Sequence, residues 1–237
     1  MTLDYSKQTN ILFHGDSHGD WRSIFHHAQA MKDCLHIHVG DIGMGFIDPE
    51  LERQQWKTIN EILAENNSRF IGIRGNHDNP AFFKSDTSHY LEHIYFAPDY
   101  TYFECIGTIF LLVGGAISID RTNREKNVSW WEDEVFVYDE SKIRKADVLV
   151  THTTPDYCSP VEYASVVHYW IVEEAKKGRV TLYNELVTER DILSKLVAAV
   201  NPRLHVYGHF HDSCNERING RIHRLMDIYE AWSPVSI

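Results

Sequence analysis

Five short segments of the sequence carry side chains of the types that bind divalent metal ions. Carboxylate, amide and imidazole groups alternate with glycines in Asp16-x-His18, Gly40-Asp41, Gly75-Asn76-His77-Asp78, Thr151-His152 and Gly208-His209-x-His211. Such donors suit borderline-to-hard divalent ions, and there are more of them than one ion needs. Two ions about 3.5–4 Å apart that share a carboxylate are the usual arrangement for phosphoester hydrolysis. The set therefore predicts a dinuclear metal site that hydrolyses phosphate esters.

Each segment directly follows an apolar run that is typical of a β-strand. In open α/β sheets, ligands bind beyond the carboxyl ends of the strands, where loops from several strands converge. Residues far apart in the sequence can therefore meet around one point. The glycines at 15, 40, 75 and 208 suit tight turns and a close approach of backbone to ligand.

As an ordered set, these segments resemble the motifs of the calcineurin-like metallophosphoesterases: D-x-H, GD, GNH-[ED], a single H and then G-H-x-H. The match extends from residue 15 to residue 211. The resemblance implies a ligand set for two divalent ions: Asp16, His18 and His211 for the first, Asn76, His152 and His209 for the second, and Asp41 as the bridge. Mn²⁺ is the expected metal, with Fe, Zn, Mg or Ni as alternatives.

The resemblance also implies catalytic roles for two residues of the third segment. His77 is not a metal ligand; it protonates the leaving-group oxygen or stabilises the transition state, and Asp78 orients its imidazole by hydrogen bonding. The nucleophile is a metal-bridging hydroxide that displaces the leaving group in line. The expected substrate is a phosphate mono- or diester.

Any one of these residues alone would have a structural interpretation. An Asp after a Gly is usually a turn residue, and a single His on an apolar strand is usually a core residue. The ordered set of five segments makes coincidence improbable. The remaining histidines, including His14 next to Gly15, lack such a context, and we expect them to be core or surface residues.

Three arginines are candidates for binding the substrate phosphate. Arg121 and Arg124 follow a glycine-rich turn at 114–120 that could face the site, and Arg74 lies just before Gly75. A guanidinium group pairs well with phosphate. For Arg121 and Arg124 we prefer the alternative, a solvated loop, because nothing in the sequence gives the direction of their side chains.

The elements that position these residues alternate along the first hundred residues. Strands are predicted at 10–14, 35–39 and 69–73, with helices at 21–31 and 49–65, the first entered through Asp20 and the second with Pro49 in its first turn. Strands separated by helices indicate a largely parallel sheet.

The second part of the sequence changes pattern. Short runs at 93–96, 101–105 and 108–113 suggest an antiparallel segment, and further strands are expected at 148–150 and 205–207. Helices are expected at 162–177 and 182–200, and a hairpin around Asn219-Gly220. We predict an α/β fold: a single metallophosphoesterase-like domain over residues 1–237, a sandwich of two mixed β-sheets flanked by helices. Residues 153–183, with Tyr157, Tyr163, Tyr169 and Trp170, form either a helical cap over the site, a subunit contact or part of the core.

Composition narrows the class of protein. The chain has 237 residues and a net charge of −11, from 23 basic and 34 acidic residues. An acidic protein without a basic stripe is a poor candidate for binding long duplex DNA. Residues 1–10 lack the features of a signal peptide, and no apolar run is long enough to span a bilayer. The four cysteines are widely spaced, so we expect reduced thiols in a cytoplasmic protein.

One sequence difference from other members of this superfamily gives information about the substrate. Its serine/threonine protein phosphatases usually have GD-x-x-DRG in the second motif, whereas this chain has GDIGMG, without the arginine. We therefore expect a phosphoesterase for small or nucleotidic esters. A slight preference for diesters is expected because the Gly75-Asn76-His77-Asp78 motif, which ends in Asp instead of Glu, resembles that of many phosphodiesterases. The alternatives are a protein phosphatase or nuclease built on the same site and, less favoured, a catalytically silent scaffold.

Overall fold

The protein folds as a sandwich of two β-sheets with helices on both outer faces. The structure, a computed structural model, describes residues 3–161 and 165–234. Within these residues each sheet has six strands, and their facing sides enclose the central hydrophobic core. The predicted α/β sandwich of two mixed β-sheets flanked by helices is therefore confirmed.

The first sheet has the strand order β12-β1-β2-β3-β5-β4. Its strands are β1 (Asn10–His14), β2 (Cys34–His38), β3 (Arg69–Gly72), β4 (His89–Leu91), β5 (Ile94–Phe96) and β12 (Ala231–Trp232). The four central strands are parallel, and the two edge strands are antiparallel to their neighbours. The carboxyl ends of β1, β2 and β3 therefore lie at the same edge.

The second sheet has the strand order β10-β11-β9-β8-β7-β6. Its strands are β6 (Thr101–Cys105), β7 (Thr108–Val113), β8 (Val148–Thr151), β9 (Leu204–Tyr207), β10 (Cys214–Ile218) and β11 (Arg221–Leu225). Strands β7, β8, β9 and β11 are parallel. Their arrangement brings the carboxyl ends of β8 and β9 together, as in the first sheet.

Four α-helices in the described residues cover the sheets: α1 (Arg22–Ala30), α2 (Pro49–Glu65), α3 (Ser165–Lys176) and α4 (Leu182–Val200). Helix α2 begins as its sequence predicts, because the Asp48 carboxylate accepts hydrogen bonds from the backbone N–H groups of Glu50 and Leu51, and Pro49 occupies the first turn. Helices α1 and α2 pack on the first sheet through residues such as Ile24 and Trp56, and α4 packs on the second.

The prediction for residues 93–96 was wrong in its pairing. Strand β5 does not join an antiparallel segment with β6 and β7; it lies beside β3 in the first sheet and runs parallel to it. Strands β6 and β7 form an antiparallel hairpin with each other, whereas the antiparallel partner of β5 is β4. The physical reason is burial: Ile94 and Phe96 are 1% and 0% exposed in the cluster that packs under α2, so this strand belongs to the first sheet.

The carboxyl-terminal hairpin forms where the sequence predicts it. Asn219 and Gly220 have φ values of 50° and 81°, the left-handed conformations that a tight hairpin turn between β10 and β11 requires. The short strand β12 was not predicted; after the hairpin the chain returns to the first sheet and pairs with β1. A strand of two residues carries too little periodicity to be recognised in a sequence.

Helix α3 is described from Ser165 onward, so Glu162 and Tyr163 of the predicted helix lie outside the described residues. The four cysteines are free thiols, as expected. Across residues 3–161 and 165–234, none of the helices combines the length and the apolar character needed to cross a bilayer.

Candidate metal centre

Loops from both sheets meet at one edge of the sandwich. The backbone N–H of Ser17, after β1, donates to the carbonyl of Asp41, after β2, at 3.0 Å, and the N–H of Gly208 donates to the carbonyl of His152 at 3.1 Å. The glycines allow this close approach: a Cβ atom at Gly75 or Gly208 would overlap a carboxylate oxygen of Asp41 or Asp16, respectively. All five sequence segments therefore converge at this edge.

A first group of donors consists of Asp16, His18, Asp41 and His211, whose ligand atoms lie within 4.8 Å of one another. The two imidazole Nε2 atoms of His18 and His211 are 3.0 Å apart, and the Asp16 carboxylate is 3.4 Å from His211 Nε2. Two ring nitrogens and two carboxylates at such distances leave a position between them that suits a cation.

A second group consists of Asp41, His152 and His209, again within 4.8 Å of one another. His152 Nε2 lies 3.2 Å from Asp41 Oδ1 and 3.3 Å from the side-chain oxygen of Asn76. Asp41 is thus common to both groups, which is the placement that a carboxylate shared by two ions requires.

Hydrogen bonds behind the donors hold their lone pairs toward the centre. His152 Nδ1 donates to the Val39 carbonyl at 2.9 Å, which leaves Nε2 free for a metal ion. The Asn76 amide nitrogen donates to Ser118 Oγ at 3.2 Å, so its oxygen faces the site, and the Ser118 hydroxyl donates in turn to Glu134 at 2.8 Å. The donor set therefore fits divalent cations in both chemistry and orientation.

Charge and burial keep two of the donors in the protonation states that bind metal. Burial raises the pKa of Asp41, but the imidazoles of His152, His77 and His18 outweigh it and hold that pKa well below its usual value. Burial, aided by His152, lowers the pKa of His209 well below its usual value. Burial also acts against a charged His152, yet the Asp41 carboxylate raises its pKa to about 9, so a metal ion bound there displaces a proton.

Four of the candidate ligands have positive φ values: His18 (47°), Asp41 (53°), His209 (73°) and His211 (51°). A left-handed conformation in a residue other than glycine is unfavourable and persists only where the surroundings hold it, often at functional sites. Here the loops turn sharply so that these side chains point to a common centre. These conformations reduce the stability of the loops, which indicates that the loops are shaped to bind a ligand.

His77 lies beside the donors but belongs to neither group of candidate ligands in the described residues. Its ring is 4.7 Å from that of His18, and its Nε2 atom accepts a hydrogen bond from Arg124 Nη2 at 2.5 Å. Burial, together with Arg124 and His18, lowers the pKa of His77 to about 4 despite the nearby Asp41.

The expectation that Asp78 orients His77 is wrong. The Asp78 carboxylate is fully buried and accepts four hydrogen bonds from backbone N–H groups, those of Ile42, Gly43, Met44 and Gly75, at 2.7–3.2 Å. Burial and the Asp41 charge raise the pKa of Asp78 to about 7, although the N–H groups of Gly75, Met44 and Gly43 act against this rise. Asp78 therefore joins the loop of Asp41 to the turn of Asn76 and sets the distance between those two donors.

Replacing Asp78 with alanine is expected to lower the free energy of unfolding and not only the activity. Each buried N–H left without an acceptor costs about 1–3 kcal/mol, so we expect a loss of at least about 3 kcal/mol in the free energy of unfolding. Urea denaturation of the metal-free protein measures it. Asp86→Ala, which removes an exposed carboxylate, is the matched control and should change the free energy of unfolding little. An Asp78→Ala protein as stable as its parent would contradict this role.

The three arginines have different surroundings. Arg74 is 6% exposed, and its terminal nitrogens donate to Asp99 and to the carbonyls of Asp133, Glu134 and Val135. Arg121 pairs with Glu185 at 3.6 Å and lies over the Trp130 ring. Only Arg124, among these three, lines the pocket that contains the metal donors. We infer that Arg74 supports the turn of Gly75 and that Arg124 is the candidate for phosphate.

That pocket has a cavity volume of about 490 Å³. One side of it is polar and includes Asp41, Asn76, His77, Arg124, His209 and His211. The lining also includes apolar side chains, three from α3 and Leu186 from α4, so the helical segment lies next to the centre. A phosphate group at the donors would therefore have space beside it for the rest of a small ester.

The other histidines that the sequence left unassigned belong to neither donor group in the described residues. His14, His36, His38, His205 and His223 are buried, with hydrogen bonds such as the one of 3.0 Å between His14 Nε2 and His36 Nδ1. Two supporting residues, Ser118 and Glu134, were missed. Nothing in the local sequence marks them, because their role depends on contact with Asn76.

Comparison with known proteins gives a family. The sequence model of the calcineurin-like phosphoesterases matches residues 9–213. No curated protein matches the sequence significantly. Among solved structures, the chain is similar to an archaeal phosphodiesterase (13% identity, TM-score 0.40, 93% of this chain and 84% of that one). It is also similar to the phosphopantetheinyl hydrolase PptH of Mycobacterium tuberculosis (15% identity, TM-score 0.47, 93% and 90%). A third similarity, to a candidate 5′-nucleotidase of Staphylococcus aureus (14% identity, TM-score 0.49), covers 93% of this chain but 49% of that one.

Proposed function

The chain belongs to the calcineurin-like phosphoesterase family, and we propose that it hydrolyses a small phosphate mono- or diester at a centre of two divalent cations. The observation that carries the proposal is the position of Asp41, which is shared by two groups of donors that converge at one edge of the sandwich. As a member of this family the protein is a phosphoric ester hydrolase. We propose in addition that it binds two metal ions and that its substrate is a small ester.

We propose that one set of side chains binds the cations and that another set binds the substrate. We assign Asp16, His18 and His211 to one cation, Asn76, His152 and His209 to the other, and Asp41 to both. When bound, such a pair polarises phosphoryl oxygens and lowers the pKa of a water molecule. Mn²⁺ is the metal to test first, because carboxylate, amide and imidazole donors all suit it.

We assign His77 and Arg124 to the substrate. Both side chains line the pocket, and they contact each other at 2.5 Å, so a phosphate oxygen at this position would meet both. Arg124 can pair with the phosphate through its guanidinium group. Because His77 Nε2 accepts the hydrogen bond of Arg124 in this structure, we propose that the substrate phosphate takes over that contact, and that His77, protonated at Nε2, then donates a hydrogen bond or a proton to the leaving-group oxygen.

Turnover of two nitrophenyl esters tests the proposed function. Protein stripped of metal and supplied with Mn²⁺ should hydrolyse para-nitrophenyl phosphate or bis-para-nitrophenyl phosphate, and the metal-free protein should not. The slight preference for diesters, which comes from the sequence, predicts faster turnover of the bis ester. Absence of turnover on both esters, with metal ions shown to be bound, would favour a silent scaffold instead.

Arg124→Gln is expected to lower kcat/KM about 10- to 100-fold, because a hydrogen bond to a charged group contributes about 1.5–3 kcal/mol. Metal content should not change, because Arg124 is not a donor to the cations. Arg121→Gln is the matched control: it removes the same charge three residues away, where Arg121 faces Glu185 rather than the pocket. Equal losses in both variants would show that Arg124 acts through general charge and not through contact with phosphate.

A further inference from the structure

Apolar side chains also line the pocket that contains the metal donors, and together they form its apolar wall. Three of its side chains come from α3, namely Val166, Val167 and Trp170, and Leu186 of α4 continues it. Ile119 and Phe210, from the loops after β7 and β9, also line the pocket. These side chains are hydrocarbon or aromatic, so they offer a substrate contact area rather than charged partners.

Part of this wall belongs to a small hydrophobic cluster that is separate from the core between the sheets and from the clusters under the other helices. Val167 and Leu186 are buried, at 8% and 4% exposure, in a cluster with Ile117 and Leu182. Val166, in contrast, is 52% exposed although it lines the pocket. An apolar surface left open beside a polar centre is typical of a ligand-binding site.

The charges around the pocket limit which ligands can lie against the wall. Within the described residues, the lining includes one arginine, Arg124, and no lysine. Asp120 and Asp212 also line the pocket, and Asp120 already pairs with Arg124 at 2.7 Å. A single cationic side chain suits one phosphate, and the two carboxylates disfavour a second anionic group.

We propose that the substrate of this site is a phosphate ester whose organic group is an uncharged aromatic or aliphatic group, bound against the wall formed by Val166, Trp170 and Leu186. The inference rests on the proposed function, since it is the phosphate at the metal donors that directs the organic group to this wall. A sugar phosphate or a polyphosphate would leave its polar groups against carbon, without the hydrogen bonds that water gives them.

Binding of phosphonates that cannot be hydrolysed measures this preference independently of turnover. Titration calorimetry of the Mn²⁺-loaded protein with methylphosphonate, butylphosphonate and benzylphosphonate compares ligands with one anionic group and growing apolar groups. Each methylene in contact with the wall should lower Kd about fourfold. We expect benzylphosphonate to bind at least about tenfold more tightly than methylphosphonate.

Two valines of the same helix provide a matched pair of variants. Val166 and Val172 are exposed to 52% and 54%, but only Val166 lines the pocket. Val166→Gln should reduce the preference for benzylphosphonate several-fold, and Trp170→Ala should reduce it further, whereas Val172→Gln should preserve it. Both glutamine variants change an exposed position, so folding should be unaffected.

The outcomes separate this inference from the function on which it rests. Equal affinity for the three phosphonates, or an undiminished benzyl preference in both Val166→Gln and Trp170→Ala, overturns the apolar subsite while ester hydrolysis stands. A benzyl preference that depends on Val166 and Trp170, in a protein that hydrolyses neither nitrophenyl ester, supports the subsite and contradicts the proposed function. No binding of any phosphonate overturns the apolar subsite, and turnover of the nitrophenyl esters then decides the proposed function separately.

Discussion

Asp41→Asn is expected to remove the phosphoesterase activity and to weaken the binding of both metal ions. Asp41 is the carboxylate shared by the two donor groups, 3.2 Å from His152 on one side and 3.9 Å from His18 on the other. Asparagine has nearly the same shape but no charge, so the loss falls on the electrostatic attraction to the cations. Stabilisation of transition-state charge by bound cations is worth several kcal/mol, and we expect at least about a thousandfold loss in kcat.

Metal content after gel filtration and turnover of the preferred nitrophenyl ester should fall together in Asp41→Asn. Asp212→Asn is the matched control, since Asp212 is an exposed carboxylate at the same pocket and belongs to neither donor group. It should retain both metal ions and most of the activity. Near-normal turnover in Asp41→Asn would disprove the assignment of Asp41 as the shared ligand.

His77→Ala is expected to slow the reaction while the metal ions stay bound. His77 contacts Arg124 and lines the pocket, but its side chain is not in either donor group. Positioned acid catalysis contributes typically about 10²–10⁴-fold. The loss should be largest for esters with poor leaving groups, because these depend most on a proton or hydrogen bond from the protein.

A series of aryl phosphates with leaving groups of increasing pKa measures this dependence. The plot of log kcat against leaving-group pKa should become steeper in His77→Ala than in the parent protein. His26→Ala removes an exposed histidine of α1 and should leave the slope unchanged. A fall in metal content in His77→Ala would instead make His77 a ligand, and an unchanged slope would remove it from the leaving-group side.

The positions of the metal donors could be predicted from the sequence because their placement is local. Asp16, Asp41 and Asn76 each follow a strand that its apolar residues mark, and glycines mark the turns after the strands. Parallel pairing of β1, β2 and β3 then brings the strand ends to the same edge. The two-sheet architecture was predicted from the resemblance to a family, and the structure confirms it.

The direction of individual side chains could not be predicted in the same way. Asp78 follows His77 directly, yet its carboxylate turns to the backbone of Gly43 and Met44, about 35 residues away in the sequence. Arg121 and Arg124 lie in one short turn, but they face different elements. The pairing of β5 with β3 was likewise decided by burial under α2 and not by the spacing of turns.

By itself, the sequence determined the donor types, their order along the chain and their location at strand ends, because strand periodicity and glycine turns depend on neighbouring residues. Only the tertiary structure decided that Arg124 is the arginine of the pocket, that the Asp78 carboxylate binds the backbone of Gly43 and Met44, and that α3 supplies apolar side chains to the pocket. These features depend on contacts between loops and helices more than 30 residues apart. Such contacts are set by the packing of both sheets and their helices, which no short segment of sequence contains.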